Sequence, residues 1–193
     1  YLHTPHQAGI IENMLRQRMP AFVMVDPVMA DNGAFYSGLS EATAQAMRTL
    51  AAYASVITPN VTEAALLTGQ AGLLRGPLSD ADVRALLDGL LALGTKAAVV
   101  TGCFLAQENM HYVYGRSADG PVFRFAYRHS AVRRFGTGDT FSAVLAGCLM
   151  RGQSLEESAS AAVRFLGRAF EQAQSQPSCE DGLALESLLG ELP

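Results

Sequence analysis

Apolar residues fall along this chain in two patterns: short unbroken runs, and longer stretches where they recur every three or four positions. Short runs bounded by turn-formers are the mark of buried strands, and the longer spacing is the mark of amphipathic helices. Residues 21–25, 55–58 and 97–101 are runs of the first kind. Asp26-Pro27 closes the first and Pro59 closes the second. Helical spacing covers residues 7–18, 40–53, 60–68, 80–93, 138–151 and 155–173. The start and stop signals agree with these spans. Pro5 stands at a first helical position after Thr4, Ser79 precedes the helix from residue 80, and Gly69 and Gly94 follow two helix ends. Ser154 and Glu157 have the spacing of a capping box.

The rhythm changes after residue 101. Residues 111–114 and 122–127 read as two strands separated by the turn-rich stretch 115–121, an antiparallel hairpin. The tail after Gln174 is polar, with one weak helix near residues 184–189. Strands alternating with helices, the strands continuously apolar, predict an α/β fold. Its central sheet is mostly parallel, with helices on both faces. The 193 residues read as a single domain. Three parallel strands are few for such a sheet and the first residue is Tyr1, so the reading predicts that leading β-α units are absent.

Composition narrows the function. The chain is 49% hydrophobic and 17% charged, but charges, Pro or Gly interrupt each apolar run well before the ~20 residues of a membrane span. No basic-flanked apolar leader opens it. A formal net charge of −4 argues against a broad nucleic-acid surface, leaving Arg133-Arg134 as the local basic pair. Cys103, Cys148 and Cys179 are odd in number with no C-x-x-C, which fits a reducing cytoplasm better than a disulfide framework or zinc site. Cys148, inside the apolar run 144–150, reads as a core thiol. His3 and His6 lack a carboxylate partner at matching spacing and do not read as a metal pair. The chain has no G-x-x-x-x-G-K-[ST], no G-x-G-x-x-G after a strand and no G-x-S-x-G.

The stretch Phe135-Gly136-Thr137-Gly138-Asp139-Thr140-Phe141 carries the chemistry. Two glycines flank a threonine directly before an apolar helix. Unpaired N–H groups at a helix start sit at the positive end of the helix dipole, and glycines let an anion approach them closely. The loop is a candidate phosphate cradle. Asp139 falls in the first turn beside it. A carboxylate there can accept the proton of an attacking hydroxyl, as phosphoryl transfer to an alcohol requires. The same Asp also suits the helix dipole alone, so both readings stand at this point. Asp26-Pro27-Val28-Met29 and Thr58-Pro59-Asn60-Val61-Thr62-Glu63 follow strand ends, where α/β ligand sites form. Asn60 and Glu63 also have capping-box spacing. Polar residues past strands at Asp26, at Asn60 and Glu63, at Thr101-Gly102 and at Asp139 are more than capping needs.

Gly136-Thr137-Gly138-Asp139 resembles the anion-hole and catalytic-base motif of the ribokinase-like superfamily. Asp26–Met29 with Thr58–Glu63 resembles its vitamin-kinase branch of pyridoxal and hydroxymethylpyrimidine kinases. The run from Asp26 through Asp31-Asn32-Gly33 to Tyr36 is similar to pyridoxal kinases in particular. Hydroxymethylpyrimidine kinases typically carry Cys where this chain has Asp139. The resemblance implies transfer of the ATP γ-phosphate to the 5′-hydroxyl of pyridoxal, pyridoxine or pyridoxamine. It assigns Asp139 as base, in contact with the substrate, and the N–H groups of Gly136, Thr137 and Gly138 to the developing charge. It assigns Asp26 and Glu63 to Mg²⁺, directly or through water, and Asn60, Glu63, Thr101 and Gly102 to the nucleotide. Tyr1 matches a position lining the pyridine pocket. A monovalent cation such as K⁺ is a further cofactor that the resemblance allows, and it implies a homodimer. Two departures stand out: Ala30 where Gly is usual, and the arginine-bearing approach 129–135 to the Gly loop. A pyrimidine or sugar kinase is the alternative substrate reading, and a non-catalytic fragment of the same fold the alternative of another class.

Overall fold

The structure is a computed structural model that describes residues 2–128, 135–175, 182–183 and 185–192. The chain divides into two compact units, residues 1–124 and 125–193.

The first unit opens with helix α1 (Pro5–Arg18). The Thr4 side chain accepts from Gln7 N–H and the Gln7 side chain reaches back, a complete capping box with Pro5 at the first helical position. Then follow β1 (Met24–Val25), β2 (Ala30–Asp31), β3 (Ala34–Phe35), α2 (Glu41–Ala51), β4 (Val56–Ile57) and α3 (Val61–Leu67). A 3-10 turn (Ala71–Arg75) leads to α4 (Asp80–Ala92), β5 (Ala97–Leu105) and β6 (Met110–Ser117), and β7 (Phe123–Tyr127) runs across the boundary at residue 124. The second unit contains α5 (Thr137–Met150), α6 (Leu155–Ser175) and a 3-10 turn (Glu186–Glu191).

The main sheet has strand order β1-β4-β5-β6-β7, and β2 and β3 form a separate two-stranded ribbon. The β1–β4 and β4–β5 pairs are parallel and β5–β6 is antiparallel. The fold is α/β, as the alternation predicts, with a mixed sheet. Ala97, Ala98, Val99 and Val100 are all buried, the continuous pattern of a strand covered on both faces. Ala44 and Ala64 of the helices and Leu86, Leu87 and Leu90 of α4 join Ala98 and Val100 in one core without measurable exposure.

Boundaries differ from the sequence reading at three places. The run 21–25 forms a strand only at Met24–Val25, although Val23 O already accepts from Ser55 and Val56 N–H. β5 does not stop at Thr101. The register shifts between Val100, paired with Tyr114, and Cys103, paired with Tyr112. Thr101 and Gly102 together oppose one residue, a β-bulge that ejects a polar pair before Cys103 and Leu105 return to the core. The weak helix read near residues 184–189 is a short 3-10 helix over Glu186–Glu191. The β2–β3 ribbon is absent from the sequence reading. Its signal is the Asn32-Gly33 dipeptide, whose φ angles of +51° and +80° make the turn that twists with a hairpin.

Candidate functional site

The parallel register places Val25 beside Ile57 and Ile57 beside Ala98. The residues that follow each strand therefore emerge at one carboxyl edge, where open α/β sheets bind ligands. Asp26 follows β1 and is half-buried. Thr58 and Pro59 follow β4 and are buried, and Asn60 forms a parallel bridge with Thr101. Thr101 N–H donates to Pro59 O at 3.0 Å, which fixes the bulge against the start of α3.

Asn60 and Glu63 form the capping box that their spacing predicts. Asn60 Oδ1 accepts from Glu63 N–H at 2.9 Å, and Glu63 Oε2 accepts from Asn60 N–H at 2.9 Å. The box does more than cap. Glu63 Oε1 accepts from Met29 N–H at 3.0 Å and from Ala30 N–H at 3.4 Å. Asn60 Nδ2 donates to Ala30 O at 2.8 Å, and Thr62 Oγ1 accepts from Gly33 N–H at 3.0 Å. Glu63 is only 3% exposed. Burial pushes its carboxyl up to about 7 against the pull of the three amides, and the nearby charge of Asp26 adds to the rise.

In the second unit, Gly136 is the N-cap of α5, with φ +79° and ψ +6°. Gly136 O accepts from Thr140 N–H at 2.9 Å and from Thr140 Oγ1 at 2.8 Å, so the first turn is closed from below. As a glycine, the N-cap residue has no side chain with which to cap the helix start. Gly136 needs glycine for its left-handed backbone. Gly138 does not: a Cβ built there meets nothing within 4 Å. Its lack of a side chain leaves the flank of the helix start open. Asp139 stands in that first turn and is exposed. The geometry can receive an anion at the helix N-terminus, with a carboxylate in the same turn.

The structure thus brings Asp26, Asn60, Glu63, Thr101 and Gly102 together in the first unit, and gathers Gly136, Thr137, Gly138 and Asp139 in the second. Tyr1, Arg133 and Arg134 lie outside the described residues, as does Cys179. Cys103 and Cys148 are buried free thiols, and burial raises both above the usual thiol range. Among the described residues no three His, Cys, Asp or Glu side chains converge as a metal cage. Two carboxylates at one sheet edge suit an ion that keeps water and phosphate oxygens among its ligands, as Mg²⁺ does. The hydrogen bonds that sequence reasoning missed are those from Glu63, Asn60 and Thr62 to residues 29–33, which lie 29 to 34 positions away in sequence.

Residues 1–182 match the family model described as phosphomethylpyrimidine kinase. The hydroxymethylpyrimidine/phosphomethylpyrimidine kinase of Rhizobium meliloti (strain 1021) is 32% identical over 150 residues, which are 78% of this chain and 54% of the relative. The crystal structure of pyridoxal kinase from Lactobacillus plantarum superposes with a TM-score of 0.86 at 32% identity, covering 100% of this chain and 68% of that one. An ADP complex of Bacillus subtilis pyridoxal kinase gives a TM-score of 0.73 at 27% identity, over 88% of this chain and 62% of that one. The chain thus spans little more than half the length of the curated relative.

Proposed function

The chain belongs to the phosphomethylpyrimidine kinase family, and from that premise we propose that it transfers the γ-phosphoryl group of ATP to the 5′-hydroxyl of pyridoxal, pyridoxine or pyridoxamine. The observation that carries the reading is the start of α5. The N-cap is a glycine in the left-handed region that brings no side chain of its own to the helix start, and the exposed Asp139 stands in the first turn.

In this reading Asp139 accepts the proton of the vitamin's 5′-hydroxyl as its oxygen attacks the γ-phosphorus in line. The bond to the bridging oxygen of ADP breaks on the opposite side. The N–H groups of Gly136, Thr137 and Gly138 stabilise the charge that develops on the transferred group. Asn60, Thr101 and Gly102 face the phosphates. Asp26 would hold Mg²⁺, and Glu63, whose oxygens already accept three N–H bonds, would support that site without binding the ion. Bound Mg²⁺ supplies neutralisation of phosphate charge. Tyr1 lines the pyridine pocket, a monovalent cation is a further cofactor, and the working protein is a cytoplasmic homodimer. Support for the nucleotide comes from the Bacillus subtilis relative, which was crystallised with ADP. Support for the vitamin comes from the Lactobacillus plantarum relative and from the carboxylate at position 139.

The Rhizobium relative gives hydroxymethylpyrimidine a specific claim as the second substrate. The test is ATP- and Mg²⁺-dependent phosphorylation of pyridoxal and of hydroxymethylpyrimidine by one preparation, with Asp139→Asn as control. A higher kcat/KM for pyridoxal, lost in the variant, is expected. Preference for the pyrimidine replaces the vitamin reading. Activity that survives in Asp139→Asn removes Asp139 from the role of base.

A further inference from the structure

The three polar side chains at the start of α3 hold the segment between β1 and the end of the β2–β3 turn at four backbone points: Met29 N–H, Ala30 N–H, Ala30 O and Gly33 N–H. A capping box needs none of these. Its own requirements are met by the two bonds between Asn60 and Glu63. The remaining bonds are spent on a segment about thirty residues upstream, and they grip both its entry strand and its turn. Glu63 Oε1 takes two of the four, and its side chain is almost wholly buried. A carboxylate that accepts three backbone amides has little capacity left for a metal ion. The far end of α3 is fixed as well. Arg48 of α2 donates from Nε to Leu67 O at 2.8 Å and from Nη2 to Leu66 O at 2.5 Å. The helix is a strut anchored at both ends.

We infer that Glu63 is a positioning residue: with Asn60 and Thr62 it clamps the segment 29–33, and so the ribbon that follows Asp26, onto the first turn of α3. Its effect on the reaction runs through the placement of that segment and of Asp26, not through coordination of Mg²⁺. The kinetic half of this inference rests on the kinase reading, whereas the structural half does not.

The experiment is amide hydrogen–deuterium exchange on the purified chain, wild type against Glu63→Gln and Thr62→Val, read on peptides spanning residues 27–36. Glutamine keeps one oxygen acceptor but turns an N–H₂ toward backbone donors. Exchange at Met29 and Ala30 is expected to rise about tenfold or more in Glu63→Gln while α4 and β5 remain protected. Thr62→Val, which keeps the carboxylate, is expected to raise exchange at Gly33 with little change at Met29. Unchanged exchange at Met29 and Ala30 in a folded Glu63→Gln protein overturns the clamp. If Glu63→Gln fails to fold, the Thr62→Val result decides, and no rise at Gly33 overturns it. With a phosphorylation assay, Glu63→Gln is expected to raise KM for the acceptor alcohol and leave the Mg²⁺ half-saturation within about twofold. A selective rise in the Mg²⁺ requirement assigns Glu63 to the metal and overturns the inference. A preparation that phosphorylates nothing removes the kinase reading alone, since exchange still reports the clamp.

Discussion

Asp139 is exposed in the first turn of α5, so it contributes little to packing. What it gives the fold is a favourable charge at a helix N-terminus, worth about 0.3–1 kcal/mol. Asn in its place has nearly the same shape and cannot act as a base at neutral pH. Asp139→Asn is therefore expected to lower kcat by about 10²–10⁴-fold and to move Tm by less than about 3 °C. Calorimetry alongside the kinase assay separates the two effects. Equal losses of activity and stability would mark the residue as structural.

Glu63 carries the opposite balance, since it is buried and makes its bonds inward. Its folded carboxyl titrates near 7 against the usual 4.5, because burial outweighs the three amides. The folded chain thus keeps a proton that the unfolded chain loses at lower pH. Stability contributed by that proton is fully present below about 4.5, falls as pH rises through the window to about 7, and is level above it. The whole decline is of order 3 kcal/mol. Asp80, Asp82, Glu108 and Glu157 are held below their ordinary values by hydrogen bonds, so their stabilisation is present at neutral pH and is lost at acid pH. The contribution of Glu63 is isolated by subtracting the Glu63→Gln curve from wild type in urea unfolding between about pH 5 and pH 8. A flat difference would show that the carboxyl titrates at its ordinary value.

At the scale of elements, α3 depends on a side chain of another helix. Losing the Arg48 guanidinium removes a donor from Leu67 O and one from Leu66 O, which still accepts from Gly69 N–H at 3.3 Å. Arg48→Met is expected to cost about 1–3 kcal/mol by denaturant unfolding. The bond of Arg48 to exposed Glu41 adds little to that. The β2–β3 turn makes a separate demand. Gly33→Ala puts a Cβ at φ +80° and is expected to cost about 1–2 kcal/mol, although its Cβ would meet nothing within 4 Å. If the cost is near zero, the turn relaxes and the ribbon is not held as described.

These elements also show where a sequence is readable. The helices were legible because caps, glycine stops and apolar spacing agree, and α1, α4 and α6 begin at or within two residues of their predicted starts. The end of β5 was not. Thr101-Gly102 reads as a strand stop because polarity and glycine signal a break, but the bulge absorbs both residues and the strand goes on to Leu105. Whether a polar pair ends a strand or is ejected from it depends on the partner β6, which local pattern does not contain. The Asn32-Gly33 ribbon was legible and overlooked, since two-residue strands show no alternation. The Asn60–Glu63 box was legible as a cap, whereas its hold on residues 29–33 is a tertiary contact that no spacing rule encodes.

At the scale of the molecule, the chain carries what the resemblance assigns to the nucleotide more completely than what it assigns to the vitamin. Asn60, Glu63, Thr101 and Gly102 occupy one sheet edge in the first unit, and the Gly136 helix start is formed in the second. The pyridine pocket is represented by Tyr1 and Asp139 alone. This asymmetry makes a thermodynamic prediction. A ligand that binds only the folded state at a hundred times its Kd adds about 2.7 kcal/mol to stability. For a chain of this size that is a rise in Tm of about 5–10 °C. Mg²⁺ with ADP is expected to produce such a shift in differential scanning calorimetry, and pyridoxal alone a smaller one. Asn60→Ala is expected to diminish the nucleotide shift after correction for its own lower Tm. A large shift with pyridoxal and none with Mg²⁺ and ADP would reverse the assignment and place vitamin-binding residues within these 193 positions that neither the motif matches nor the sheet edge identify. No shift with either would leave the fold without its ligands and favour the non-catalytic reading of this chain.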